Sequence, residues 1–545
     1  MHGIRRRHYA LIAAAMAVVS LGVMTGISSP VSSARPAIVA AAEDRPNILV
    51  VTVDDMREDE LAYMPQTRAL LGDEGVQFVN SFSPYPLCCP ARSSFLTGLY
   101  THNHRVWSHE EPWGFKVLRD DETLPVWLQR AGYRTHFLGK YLNGYGAQPA
   151  PDGSSDNSRT YIPPGWSDWR GAIDGGLGAG HPKDGGTYRF FNTTLNDNGE
   201  FYLEPGVYQT DVFGGLTEDI ITEEAGDARP FFAWVNYVAP HHGNPREPDD
   251  PGPITRDDGK VTQFSTTARP ASVRGRFDDV LTKAPGAAGE DDVSDKPVFI
   301  RDLPPLNAAE QAGLLETARQ RAEAISLVDD EVARTVAALK RTGQLENTIL
   351  AFTSDNGYFL GEHRIRQGKI LPYDPALRVP LLIRGPGIPA GEVRHDPFTS
   401  IDFAPTILAA AETSVDWPLN GANLLPVARG GDTGWKRAVL TETGPRGTIA
   451  TLDESGPQLH PRDPGPTALR YSQGVRTKRY LYVEHASGDV ELYDLHHDPN
   501  QLDNVAGDEP YAEDQAALAT TLDQLRNCRG GACRAPIPKQ LQAGP

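Results

Sequence analysis

The sequence predicts an α/β protein, with a mostly parallel sheet sandwiched by helices and a smaller C-terminal α+β domain. Three observations carry that prediction. Continuous apolar runs end in acids or amides at "NILVVTVDD" and "NTILAFTSDN", helical periodicity fills intervals between such runs, and short strands followed by one helix take over beyond about residue 430.

In chain order, residues 1–42 are expected to be an export signal and leader, with a basic head, an apolar run and small residues ending at Ala34 or Ala42. The competing reading is an uncleaved membrane anchor, because the run approaches spanning length. No second run of that length follows, so the expectation is a secreted or cell-envelope protein with no stable membrane insertion. Residues 43–425 are expected to form the main domain. There "RPNILVVTVDDM" reads as a buried parallel strand that delivers Asp54 and Asp55 at its C-terminal end. "YRTHFLGKYL", "PFFAWVNYVAPHH", "ENTILAFTSDNG" and "VPLLIRGPG" supply further strands, the first three ending near Lys140, His241-His242 and Asp355-Asn356. Helical spacing of Ile325, Val328, Val332, Val336 and Leu339 predicts a helix over 319–341. Residues 243–300, rich in Pro, Gly and Asp, predict a long surface excursion of the kind that shapes a cleft. In the expected C-terminal domain, 430–545, "KRYLYVEH" and "VELYDLHHDP" read as strands and "DQAALATTLDQLRN" as a helix.

With 71 acidic against 52 basic residues, the chain is not a nucleic-acid binder working through a broad basic surface. An anionic substrate must be met by local positive charge. Of the four cysteines, Cys528 and Cys533 flank a flexible Gly-Gly segment and suit a disulfide in an exported chain. The neighbours Cys88 and Cys89 do not reach disulfide geometry without strain.

In an open α/β sheet the functional strand ends converge on one rim. Asp54, Asp55, Asp355 and Asn356 offer hard oxygen ligands, which suit Ca²⁺ or Mg²⁺ better than zinc. Taken singly, each carboxylate also reads as a helix cap or turn former. Their convergence argues for a site.

The segment "CCPARSSFLTG" resembles the C-x-P-x-R…TG signature of the type I sulfatases. "VTVDD", "GKYLN", "APHH", "FTSDNGYFLGEHR", "RVPL" and "ELYDLHHDP" continue the resemblance in family order, and the similarity is greatest to the N-acetylglucosamine-6-sulfatase and extracellular heparan-sulfatase branch. The resemblance implies an alkaline-phosphatase-like fold and hydrolysis of sulfate monoesters, in carbohydrates such as glucosamine-6-sulfate. It implies that a formylglycine-generating enzyme oxidises Cys88 to formylglycine, with Cys89 in the variable slot. It further implies that Asp54, Asp55, modified Cys88, Asp355 and Asn356 bind Ca²⁺, with Mg²⁺ as the alternative. Arg92 would hold the formylglycine, Lys140 and Lys369 would bind sulfate oxygens, and His241, or else its neighbour His242, would protonate the leaving alcohol.

Two departures stand out. Ala91 occupies a slot where many members carry Ser. Gly139-Lys140-Tyr141-Leu142 stands where many read G-K-W-H, so the histidine assigned to sulfate elimination is missing there. His102 and His104 of "THNH" are candidates to replace it, and His363 of "GEHR" is a further cleft candidate. Each competes with a reading as a structural histidine. Two rival functions remain: a phosphonate or phosphate monoester hydrolase with the same site, and an exported sugar-binding protein whose Cys88 is never converted.

Overall fold

The computed structural model describes residues 45–286, 290–444 and 471–542; the expected export segment lies outside them. Ten strands form the main sheet: β1 (Asn47–Asp54), β2 (Val76–Phe78), β3 (Arg134–Lys140), β4 (Asp168–Ala172), β5 (Leu195–Asp197), β6 (Glu200–Tyr202), β7 (Phe231–Pro240), β8 (Thr348–Ser354), β9 (Leu381–Arg384) and β10 (Glu392–Arg394). Their order is β10-β2-β9-β8-β1-β7-β3-β4-β5-β6. The run β8-β1-β7-β3-β4 is wholly parallel. β9, predicted only as a strand, runs antiparallel to β8, and β5 and β6 form an antiparallel edge beyond β4.

Alternation along β1 divides the core. Ile48 and Val50 face Phe95, Trp127, Phe403 and Ile407, while Leu49, Val51 and Val53 face Phe213, Ile325, Val328 and Val332. A strand buried on both faces must be apolar throughout, which is why β1 reads as an unbroken run. The helices over the first face include α1 (Cys88–Thr97) and α4 (Phe403–Ala410), and those over the second are α2 (Gln209–Glu224) and α3 (Ala308–Arg341). The helix predicted from residue 319 thus begins earlier. The Asn307 side chain accepts from Glu310 N while the Glu310 carboxylate accepts from Asn307 N, a reciprocal cap that fixes the start. The 243–300 excursion packs against α3 through Arg269, whose Nε lies 2.5 Å from Glu323 Oε2.

A second, four-stranded antiparallel sheet comprises β11 (Val439–Thr443), β12 (Ser472–Arg476), β13 (Tyr480–His485) and β14 (Val490–Asp494), with α5 (Ala512–Leu525) against it. It holds the segments flanking α1. Gly444 N donates to Tyr85 Oη (3.0 Å) and Tyr373 Oη donates to Glu491 (2.6 Å). Arg476 pairs with Asp374 (3.1 Å). Cys528 and Cys533 form a disulfide. No described helix is long and apolar enough to cross a membrane.

In β3 the buried His136 ring lies 3.0 Å from Glu224 and 3.4 Å from Asp168. Burial opposes its charge, but hydrogen bonds donated by the ring to the two carboxylates raise its pKa above the usual value. The stabilisation is therefore full below the unfolded value of about 6.5 and fades as pH rises through the folded one. As pH rises above the unfolded value of about 6.5, the melting temperature is expected to fall more in the wild type than in His136→Gln. Parallel melting curves for the two proteins would remove His136 as the cause.

Candidate active site

The site is built at the C-terminal rim of the parallel strands. β1 ends at Asp54, and Asp55 turns the chain in the left-handed region at φ 67°, a conformation that Asp adopts more readily than most residues. Register pairs Val53 with Ser354, so Asp355-Asn356 emerges beside Asp54-Asp55. Asp55 N donates to Asp355 Oδ1 (3.1 Å) and Asn356 Nδ2 to Asp55 Oδ1 (2.6 Å).

α1 brings Cys88 in from above as its first residue, after an extended Leu87. Phe95 stacks on Trp234 of β7 with ring centroids 4.3 Å apart, which sets the height of the helix over the sheet. At the other end Gly98 takes φ 66°, and a Cβ there would fall 2.6 Å from Leu419, so only glycine fits this C-cap. The Cys88 thiol donates to Asp54 Oδ1 (3.1 Å), and Lys369 Nζ donates to Cys88 Sγ (3.1 Å). Lys140 pairs with Asp54 and Lys369 with Asp55. One helical turn along, Arg92 Nε donates to Asp355 Oδ2 (2.7 Å), and Nη1 donates to Lys140 O (2.7 Å) and Asn236 Oδ1 (2.9 Å). Gly139 permits this convergence: at φ 98° its missing Cβ would sit 2.0 Å from Asn236 O. His241 Nε2 lies 3.6 Å from Asp55 Oδ2.

Nearly all of these groups are buried, and the charges act on one another at low dielectric. Burial, and then Asp54, push the Cys88 thiol well above its usual pKa. The same two causes raise Asp355. For Lys140 burial opposes the charge, but Asp54 and then Cys88 hold its pKa well above the usual value. Burial, then His242 and the two lysines, keep His241 far below its usual value. A carbonyl oxygen only accepts, so the 2.8 Å contact with His242 O places the His241 proton on Nδ1. Nε2 is left to exchange a proton within the cluster.

The donor set fits a divalent cation. Ligand atoms of Asp54, Asp55, Cys88 and His241 lie within 4.8 Å of one another. Asp55 Oδ2 and Asn356 Oδ1 are buried without a hydrogen-bond partner. Oxygen atoms enclosed in this way, with carboxylate neighbours, suit a hard ion such as Ca²⁺ or Mg²⁺.

Three of the histidines expected in the cleft do not join this cluster. His102 is turned towards the second sheet, with Nδ1 3.0 Å from Glu442 Oε1 and Nε2 donating to Cys528 O (2.8 Å). For His104, Val106 N donates to Nδ1 (3.1 Å) and Nε2 donates to Ser94 Oγ (3.1 Å); burial, then His102, lower its pKa to about 3. His363 donates from Nδ1 to Glu290 (2.8 Å) and packs on Tyr373. It lines a cavity with Arg57, Glu362 and Asp374. His242 stays beside the site, its ring stacked on His241 at 4.2 Å.

Sequence reasoning missed Asn236, Tyr188 and Asn143. The Tyr188 ring sits 5.1 Å from Lys140 Nζ and 4.7 Å from the His241 ring, and its hydroxyl accepts from Asn143 Nδ2 (2.7 Å). Asn236 was findable, as an amide within the apolar run "FFAWVNYVAP". Tyr188 lies outside any described strand or helix and carries no such signal.

The family model described as Sulfatase matches residues 46–413. An extracellular sulfatase homologue of Drosophila melanogaster is 30% identical over 77% of this chain, which spans 35% of that protein; it spans about half of a Caenorhabditis elegans counterpart, 48%. N-acetylglucosamine-6-sulfatase of Homo sapiens is 29% identical over 91% of this chain and 87% of its own length. Among solved structures, a complex described as holding its substrate D-glucosamine-2-N,6-O-disulfate aligns with TM-score 0.61 and 22% identity, covering 88% of this chain and 97% of the other. The phosphonate monoester hydrolase of Agrobacterium radiobacter aligns with TM-score 0.61 and 24% identity, covering 89% and 96%. The mixed sheet between helix layers is the fold of these structures, and with its family model matched over most of its length, the chain belongs to the sulfatase family.

Proposed function

We propose that the protein is an exported, calcium-dependent hydrolase of carbohydrate sulfate monoesters that works through a formylglycine made from Cys88. The observation that carries this reading is the meeting of one thiol, two ammoniums, one guanidinium and an oxygen-rich donor set in a buried cluster. Formylglycine would supply a hydrated-aldehyde hydroxyl as nucleophile, and the cation would supply its polarisation. Asp54, Asp55, Asp355 and Asn356, with modified Cys88, would hold the cation.

The side chains then have definite tasks. Arg92, fixed by Asp355, Lys140 O and Asn236, orients residue 88 and balances charge at the nucleophile. A cation on Asp54 and Asp55 would take over the carboxylates that now hold Lys140 and Lys369, freeing both ammoniums for sulfate oxygens. His241 Nε2 protonates the departing alcohol; a bound anion would offset the two lysines, which add to burial and His242 in keeping this ring neutral. His242 is its alternate.

A sulfated glucosamine substrate is supported by the named human relative and by the disulfated glucosamine in a protein of the same fold. Export is supported by the extracellular relative, and formylglycine calls for a generating enzyme as a maturation partner. The second reading, phosphonate or phosphate monoester hydrolysis, is favoured by the likeness to the phosphonate hydrolase; both ester classes present a tetrahedral anion. Turnover of matched aryl sulfate and phosphonate esters separates them. Mass spectrometry of the peptide containing Cys88 tests the core reading: the aldehyde is lighter than the thiol. An unmodified thiol in the exported protein would leave the sugar-binding alternative standing.

Lys140→Ala and Lys369→Ala are each expected to lower kcat/KM by about 10²-fold or more, if contact with the anion tightens in the transition state. Lys478→Ala, on the second sheet, should change it little. Wild-type kinetics for either variant would remove that lysine from the anion site.

A further inference from the structure

Lys140 and His241 stand at the exits of two paired strands, since β3 ends at Lys140 and β7 at Pro240. One aromatic ring lies against both. The Tyr188 centroid is 5.1 Å from Lys140 Nζ, with the ammonium over the ring, and 4.7 Å from the centre of the His241 imidazole at an inclination of 31°.

The ring is tethered from both exits. Asn143, three residues beyond Lys140, donates from Nδ2 to Tyr188 Oη (2.7 Å). Asn244, three residues beyond His241, donates its backbone N–H to Tyr188 O (2.8 Å), and Phe190 N donates back to Asn244 O (2.9 Å). Gly243 permits this close approach, because a Cβ there would fall 2.7 Å from Tyr188 O and 2.5 Å from the Phe190 ring. Each strand that presents Lys140 or His241 is thus followed by a residue that fixes the same tyrosine. An aromatic face attracts an ammonium through its quadrupole. Unlike a carboxylate, it adds no net negative charge to a pocket that must accept an anion.

We propose that Tyr188 is a positioning residue that aims Lys140 and His241 together through its ring. This rests on the reading above, in which Lys140 binds sulfate oxygens and His241 protonates the departing alcohol. Asp54 and the Tyr188 ring both attract the Lys140 ammonium. When the ammonium turns from the carboxylate to a sulfate oxygen, the ring still attracts it and narrows the directions it can take. At the other contact the ring restricts rotation of the imidazole, which keeps His241 Nδ1 on His242 O (2.8 Å) and Nε2 towards Asp55 (3.6 Å). The Tyr188 hydroxyl serves as the acceptor for Asn143 and takes no part in the reaction.

The test uses full-length enzyme in which conversion of Cys88 has been verified by mass, with Tyr188→Leu, Tyr188→Phe and a series carrying mono-, di- and trifluorinated phenylalanine at position 188. The series keeps the shape of the ring while draining negative charge from its face. Tyr188→Leu is expected to lower kcat/KM by about 10²-fold for a sugar sulfate but only about 10-fold for 4-nitrophenyl sulfate, whose alcohol leaves without a proton. Tyr188→Phe should restore most of both losses. Along the fluorinated series KM should rise stepwise by about 10-fold in all, and so should the Kd for inorganic sulfate measured by calorimetry. Folded, converted proteins whose KM and Kd stay constant along the series would overturn the proposal. So would equal losses on the two esters in Tyr188→Leu, or a Tyr188→Phe protein as impaired as Tyr188→Leu. An unconverted Cys88 in the wild type would instead overturn the reading on which it rests.

Discussion

Cys88→Ala is expected to abolish turnover, and Cys89→Ser to retain the aldehyde and most of the activity. The two thiols are adjacent and both fully buried, yet the helix points them in different directions. Cys88 Sγ meets Asp54 and Lys369, whereas Cys89 Sγ faces Asn143 O at 3.9 Å and packs in the apolar core. A serine at 89 can use that carbonyl as a partner, so its cost is one of packing and desolvation, about 1–3 kcal/mol. Cys88→Ser should fail with Cys88→Ala: an ordinary hydroxyl would be left as a stable sulfate ester, with no second hydroxyl to expel sulfate. Steady-state kinetics together with the mass of the residue-88 peptide decide the matter. An active Cys88→Ala protein, or an aldehyde at position 89, would end the proposed chemistry.

Exhaustive chelation, or Asp355→Asn, is expected to lower turnover by about 10³-fold or more. Asp54, Asp55 and Asp355 crowd negative charge against the place where an anionic ester must react. Burial first, and then Asp54, raise the Asp355 pKa, so its charged form is held against both desolvation and a like charge. The asparagine variant is preferred to alanine because Asp355 also holds Arg92 at 2.7 Å. Deleting it would strand a buried guanidinium at a cost of about 3–5 kcal/mol. Returned Ca²⁺ should restore the chelated wild type but not the variant, and the melting temperature of the metal-loaded wild type should exceed that of the stripped protein. Full activity after chelation would remove the cation from the mechanism.

The parallel strands were legible because burial on both faces leaves an unbroken apolar run, and the polar residues that end such runs mark the rim. This is how Asp54-Asp55 and Asp355-Asn356, some three hundred residues apart, could be brought together from the sequence. Other elements had no pattern to read. α1 buries Arg92, Ser93 and Ser94 as well as Phe95 and Leu96, so it has no polar face and no helical period. α2 is interrupted by Gly214 and Gly215, which weakens its signal. The histidines of "THNH" follow α1 closely in sequence, but proximity along the chain does not say which way a short helix turns its side chains. Thr101–His104 turns His102 to Glu442 and His104 back to Ser94.

The grip of the second sheet on the segments around α1 bears on inheritance and on trimming the gene. The family match ends at residue 413, yet Glu442 of β11 holds the His102 segment and Gly444 holds Tyr85, three positions before Cys88. A chain cut at the family boundary would keep every residue assigned a chemical task and lose the frame that aims Cys88. The catalytic part is therefore not severable from the C-terminal part. Inherited changes in β11 or β14, which touch no reacting group, should be selected against for lost catalysis before they are selected against for lost folding.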